Sequence, residues 1–177
     1  GPGREALILV GHPAPSRRDP DFYAFNLLNQ VLGGNSITSR LAVRLRDQER
    51  LALSVESRVV PMAGGSAWAV VARVEPDKVD RALAAIREEM ERMRTLAPSE
   101  EEVTRARSAL EGRLQVAQSS GAGRAELLAS LEFYRLAETY GRDFAGLYER
   151  IAPRELLGTA KLRLHPDHLV TLVVSPR

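Results

Sequence analysis

One change of period constrains this chain more than anything else in it. Between Leu51 and Val74 the pattern repeats every second residue, and from Pro76 onward apolar residues recur every third or fourth. In the first run Leu51, Leu53, Val55, Ser57 and Val59 fall on one strand face, with Ala52, Ser54, Glu56 and Arg58 opposite. Trp68, Val70, Ala72 and Val74 alternate in the same way, and Met62-Ala63-Gly64-Gly65 between the runs is turn chemistry. Together they predict a β-hairpin with a medium loop. After Pro76-Asp77 the spacing of Val79, Leu83, Ile86, Met90 and Met93 predicts a helix with one core-facing stripe, too short for a coiled coil. Ser99 and Glu102 fit a capping box that starts a second helix, with Val103, Ala106, Leu110, Leu114 and Ala117 as its stripe. Ser119 to Gly123 breaks that helix. Leu127, Leu128, Leu131, Tyr134 and Leu136 mark another, which Gly141 ends. Shorter helices are expected near Asp143 to Arg150 and Pro153 to Leu162.

The flanks complete the order. Ala6 to Val10 is a short apolar run ended by Gly11 and Pro13, and reads as a buried strand. Asp19 or Asp21 can cap the next helix, where Phe22, Phe25, Leu28 (or Asn29) and Leu32 recur until Gly33-Gly34 stops them. A second helix is expected from Ser36 or Thr38, through Leu41 and Leu45, to about Glu49. Pro166-Asp167 turns the chain into Leu169 to Val174, expected as a buried final strand. Strands and helices are segregated, so the pattern predicts an α+β fold, an antiparallel or mixed sheet packed on a block of helices. Residues 3–177 are expected to form a single domain, with no internal repeat. Gly1-Pro2 reads as the scar of a tag-removing protease, and the lack of methionine before Met62 suggests a piece of a longer product.

Charge decides what the chain is not. The pI near 9.3 invites a nucleic-acid reading, but basic residues total 25 against 23 acidic, a net of +2. All the basic residues except Lys78 and Lys161 are arginine, and most lie among glutamates, as in Arg87-Glu88-Glu89. A nucleic-acid binder wants a single-sign stripe interleaved with aromatics. Aromatics are 5% here, so solvated helix faces are the expectation and no nucleic-acid partner is assigned. With no cysteine, disulfides and thiolate metal sites are excluded. No apolar run is long enough for a membrane-spanning helix, and the start has no signal-peptide layout. Compartment stays open between bacterial periplasm and cytoplasm.

Catalytic chemistry is hard to find. The three histidines are His12, His165 and His168. His165-Pro166-Asp167-His168 reads as a surface turn and His12 as a loop residue. No H-E-x-x-H or H-x-x-E-H string occurs, so no metal ligands are assigned. Neither a G-x-S-x-G elbow nor a phosphate loop is present, since Gly33-Gly34-Asn35-Ser36 lacks the lysine and spacing. No catalytic residue is assigned.

The run Leu32-Gly33-Gly34, then Ser39-Arg40-Leu41, then Leu45-Arg46-Asp47 resembles the "LGG…SRL…LRe…GLaY" pattern of the insulinase/pitrilysin zinc metallopeptidases. Upstream, Asp19-Pro20-Asp21-Phe22-Tyr23-Ala24 resembles that family's "dpDyyal" helix start. Downstream, Val74-Glu75-Pro76-Asp77 and Pro98-Ser99-Glu100-Glu101-Glu102 resemble its "t.pe" and "teeEl" starts. These are motifs of the C-terminal, non-zinc domain, the half related to subunits of the mitochondrial processing peptidase.

The resemblance implies a clamshell of two similar domains around a peptide chamber. The zinc is expected in the partner domain, through H-x-x-E-H, with no cofactor in this chain. It also implies an arginine and a tyrosine, seven residues apart, that hold substrate near the metal. The arginine position is Arg46, the substrate-binding residue implied here. The tyrosine position holds Leu53, and the glycine before "LaY" is Arg50. A leucine cannot hydrogen-bond a carbonyl or an oxyanion, and Arg46 can instead pair with its neighbours Asp47 or Glu49. Two roles therefore compete: a substrate-binding, chamber-closing half of a zinc endopeptidase, or a catalytically degenerate member with a scaffold or assembly role.

Overall fold

The computed structural model of the chain describes residues 5–62, 64–136 and 144–176. The expected scar at Gly1-Pro2, the helix stop at Gly141 and the helix start at Asp143 lie outside those residues. Among the described residues four antiparallel strands form one sheet, in the order β2-β3-β1-β4. They are β1 (Ala6–Ala14), β2 (Ala52–Met62), β3 (Gly65–Val74) and β4 (Val170–Val174). Between β1 and β2 lie α1 (Phe22–Leu32) and a π-helix (Ala42–Gln48). The helical block is α2 (Val79–Thr95), α3 (Glu100–Gln118), α4 (Gly121–Tyr134), α5 (Phe144–Glu149) and α6 (Pro153–Arg163). The fold is α+β, as the segregated pattern predicts.

One face of the sheet makes the core. Ile8 and Val10 of β1, Val55 of β2, and Trp68, Val70 and Ala72 of β3 are buried against Phe25, Leu28 and Leu32 of α1 and Ile86, Met90 and Met93 of α2. Burying an aromatic ring the size of Trp68 removes roughly 150–250 Å² from water, about 4–6 kcal/mol before the entropy of ordering. The Trp68 indole N–H donates to Asn29 Oδ1 at 2.8 Å, so its polar atom is satisfied inside the core.

Four expectations change. Gly11 and Pro13 do not end β1, which pairs with β3 as far as Ala14↔Ser66. Gly11 serves close approach, since a Cβ there would lie 2.4 Å from the Trp68 carbonyl oxygen. Pro13 lies beyond the pairing with β4, which reaches only Gly11↔Val170, the first residue of β4, so its missing N–H breaks no rung there. The hairpin loop is tight, with Met62 paired to Gly65. Alternation in β2 fails at Leu53, where a bulge lets Ala52 pair with Val74 and Ser54 with Arg73. Ala52 is therefore buried and Leu53 exposed, the reverse of the expected faces.

The final strand is the fourth correction. β4 is exposed along its whole length, not buried. It lies at the sheet margin outside β1, whereas α1 packs on β2 and α2 on β1. A continuous apolar run looks the same in sequence whether it fills a central strand or an uncovered edge. The helical stripes fade in the same manner: Val103, Ala106 and Leu110 of α3 are buried, Leu114 is half-buried, and Ala117 is exposed. α4 buries none of its residues fully.

Candidate functional site

The Ser39-Arg40-Leu41 segment and the π-helix after it are held by ion pairs to the helical block. Arg40 forks onto Glu102, Nε to Oε1 at 2.7 Å and Nη2 to Oε2 at 2.9 Å. Glu102 also closes the expected capping box, accepting from Ser99 N–H at 2.8 Å while its own N–H donates to Ser99 Oγ at 3.2 Å. The Arg40 hydrogen bond holds the Glu102 carboxyl down at about 2, with the Ser99 N–H assisting. Arg44 donates to Glu49 at 2.7 Å and to Glu88, and its Nη1 lies 3.5 Å from Glu89. Glu89 is buried among Arg40, Arg44 and Arg92, at 3.9, 3.5 and 3.6 Å. A buried carboxylate needs such company. The sequence carried a signal for this network, since Glu89 interrupts the α2 stripe beside Met90.

The segment so fixed carries Arg46 in the last turn of the π-helix. Its guanidinium forks onto Asp47, Nε to Oδ1 at 2.6 Å and Nη2 to Oδ2 at 3.0 Å. Nη1 donates to the Ser36 carbonyl and Nη2 to that of Ile37 at 3.5 Å. The Asp47 hydrogen bond raises the Arg46 pKa, so the side chain keeps its charge at any working pH. Glu49, the other expected neighbour, instead pairs with Arg44 and Arg81. Arg50 then takes φ 51°, a left-handed backbone, and the Leu51 N–H closes on the Leu45 carbonyl at 2.7 Å. The position where the resembling pattern has glycine thus keeps the backbone that glycine favours. Leu53 follows on the bulge, 53% exposed and without a polar atom to offer.

The histidines lie closer together than their sequence positions suggest. His12 is a strand residue rather than a loop residue, 4% exposed, with its ring 4.9 Å from Trp68 and 5.4 Å from His165. Burial lowers its pKa, and the charge of His165 pushes the same way. His165 precedes and His168 ends the 3-10 turn Pro166–His168, a turn as expected, with ring centroids 6.5 Å apart. These donors do not fit zinc. The His12 Nδ1 lies 2.7 Å from the Pro13 carbonyl oxygen, its Nε2 is enclosed, and no group of three metal-ligating side chains forms among the described residues. What the surface around Arg46 can do is bind and position.

A profile described as the peptidase M16 inactive domain matches residues 2–110. The chain belongs to this family, the non-catalytic domain of the insulinase/pitrilysin zinc peptidases. An uncharacterized zinc protease of Streptomyces coelicolor is 31% identical over 108 residues, 61% of this chain and 23% of that protein. The peptidase M16 inactive domain from Pseudomonas fluorescens superposes with a TM-score of 0.89 at 22% identity, over 100% of this chain and 42% of that one. A chain of complex III2 from Candida albicans gives 0.84 at 15% identity, over 97% and 43%. At those identities the two structures establish the fold alone. The chain spans less than half the length of each of these three proteins.

Proposed function

We propose that this domain is the substrate-binding, chamber-closing half of a zinc endopeptidase and works beside a homologous domain that holds the metal through H-x-x-E-H. The observation that carries this is the setting of Arg46. It is a charged side chain in the last turn of a helix that Arg40 and Arg44 tie to α2 and α3, within the segment matched by the family. Its role is to exchange Asp47 for a carbonyl or carboxylate of a bound peptide. A guanidinium already shaped as a fork can do so with little reorganisation.

A second reading draws on two specific observations. Leu53 offers no hydrogen bond where the family pattern has a phenol, and the Arg46 donors are engaged by Asp47, Ser36 and Ile37. Both favour a scaffold that keeps the fold and has lost substrate contact. Reconstitution with a zinc-bearing homologous domain separates the two. On the first reading, peptide cleavage requires this chain, and Arg46→Ala lowers kcat/KM about 10-fold or more, the scale of a charge-assisted hydrogen bond. If the chain is required but Arg46→Ala has no effect, the scaffold role stands instead.

A further inference from the structure

A cleft whose lining includes none of Arg46, Arg50 and Leu53 opens where the end of α2 and the start of α3 meet the π-helical segment. Its volume is about 430 Å³, within the range of small-molecule clefts. We propose that it binds a small phosphate monoester, a site that lies outside the peptidase reading and does not depend on it.

The charges of the cleft are unevenly exposed. Four arginines line it, Arg40, Arg44, Arg92 and Arg105, against two carboxylates, Glu89 and Glu102. Both acids are covered. The Glu89 side chain is buried among Arg40, Arg44 and Arg92, and Glu102 takes the Arg40 fork and the Ser99 N–H. Glu49 and Glu88, which pair with Arg44, and Glu101, which pairs with Arg105, do not line the cleft. Two of the arginines reach water, since the Arg92 side chain is 61% exposed and that of Arg105 47%. The surface offered to a ligand is therefore cationic, although the network behind it is close to balanced.

Both exposed arginines have donors to give. The Arg92 side chain makes no hydrogen bond among the described residues, and its ion pair to Glu89 is long at 3.6 Å. Arg105 engages only Nη1, on the exposed Glu101 one turn back, a surface pair that an incoming anion can displace at little cost. The Thr38 hydroxyl and the Gln48 amide line the same cleft, are exposed, and have no partner among the described residues. Arg40 Nη1 also lacks a hydrogen bond, but it is enclosed, so it acts on the cleft through its charge and not by contact. Guanidinium groups on two helices, with a hydroxyl and an amide beside them, offer donors from several directions. That suits a tetrahedral dianion with three terminal oxygens better than a planar carboxylate. Val43 and the exposed Leu96 add an apolar flank, on which the organic part of an ester can lie. Bare phosphate would leave that flank unused, and a nucleic acid would need a longer row of cations.

The test is an NMR titration of the 15N-labelled 177-residue chain with phenyl phosphate, inorganic phosphate and phenylacetate, at about pH 7.5, where a monoester is a dianion. Saturable shifts are expected at the Nε–H of Arg92 and Arg105 and at the Gln48 side-chain amide. Phenyl phosphate should bind about 5-fold tighter than either of the other two. Arg92→Gln and Arg105→Gln should each weaken it about 3-fold or more, while Arg113→Gln, outside the cleft, should change nothing. Arg105→Gln removes only an exposed pair, so it decides even if Arg92→Gln disturbs Glu89. Equal binding of phenyl phosphate and phenylacetate overturns the phosphate, and equal binding of phenyl phosphate and inorganic phosphate overturns the ester. Shifts spread over arginines outside the cleft overturn the site itself, as does no shift at roughly 10 mM, where even millimolar affinity would register. Arg46→Ala should leave this titration unchanged, so its outcome and the peptidase experiment fail independently.

Discussion

Arg50 bears the clearest local strain in the region around Arg46. A non-glycine residue at φ 51° pays a steric penalty of about 1 kcal/mol. Here that penalty buys the abrupt exit from the π-helix that places Leu51 and the β2 bulge. The carbonyl of Arg50 also accepts from Lys78 Nζ at 3.2 Å, a backbone contact that survives any change of side chain. Arg50→Gly should therefore stabilise the fold by about 0.5 kcal/mol, the steric relief less the extra entropy of a glycine in the unfolded chain. Arg50→Ala should gain nothing. Urea unfolding of both variants checks this, and a destabilised Arg50→Gly would mean that the arginine side chain matters more than the backbone. Arg46 could be picked out in the sequence by its motif. Its fork onto Asp47 rather than Glu49 depended on how the turn closes.

At the scale of elements, Glu102 joins two of them. Its carboxylate caps α3 and receives the Arg40 fork from the start of the π-helical segment. Glutamine can still cap but cannot carry the charge, so the two functions separate by substitution. Glu102→Gln should cost about 1–2 kcal/mol for the lost charge-assisted pair, and Glu102→Ala about 1 kcal/mol more for the cap. Equal losses in urea unfolding would show that one of the two contacts contributes nothing. The sign with pH follows from the depressed value. A carboxyl at about 2 in the fold and 4.5 unfolded contributes stability above pH 4.5, which is lost as pH falls toward 2. The capping box could be read from Ser99 and Glu102. The Arg40 contact, 62 residues away in sequence, could not.

Across the whole molecule, the turn before β4 meets the sheet at His12. The ring of His12 lies on Trp68 of β3 with His165 at its edge, so one buried imidazole touches both the sheet interior and the link from α6 to the last strand. Burial depresses its pKa below 6.5, and the unfolded chain therefore takes up the proton first as pH falls. Stability should be full above about pH 6.5 and decline below it, in a range where ordinary carboxylates do not titrate. Melting temperatures from pH 8 to 5.5 should show this decline, and His12→Phe, which keeps a ring on Trp68, should flatten it. An unchanged slope in His12→Phe would overturn the assignment to His12.

Local pattern determined most of the elements. A period of two marked β2 and β3, a period near 3.6 marked α1 and α2, and Ser99 with Glu102 fixed the start of α3, because neighbouring side chains share a face or cap a helix whatever the rest of the chain does. The motif residues likewise identified the family. Only the tertiary structure decided what each apolar run faces. β4 is as apolar as a core strand and yet lies uncovered at the sheet edge, Leu53 turns outward on a bulge, and Gly11 lets a strand pass where it looked like a stop. Burial, register and the ion pairs of Glu89 are set by residues far away in sequence, and no local period records who those neighbours will be.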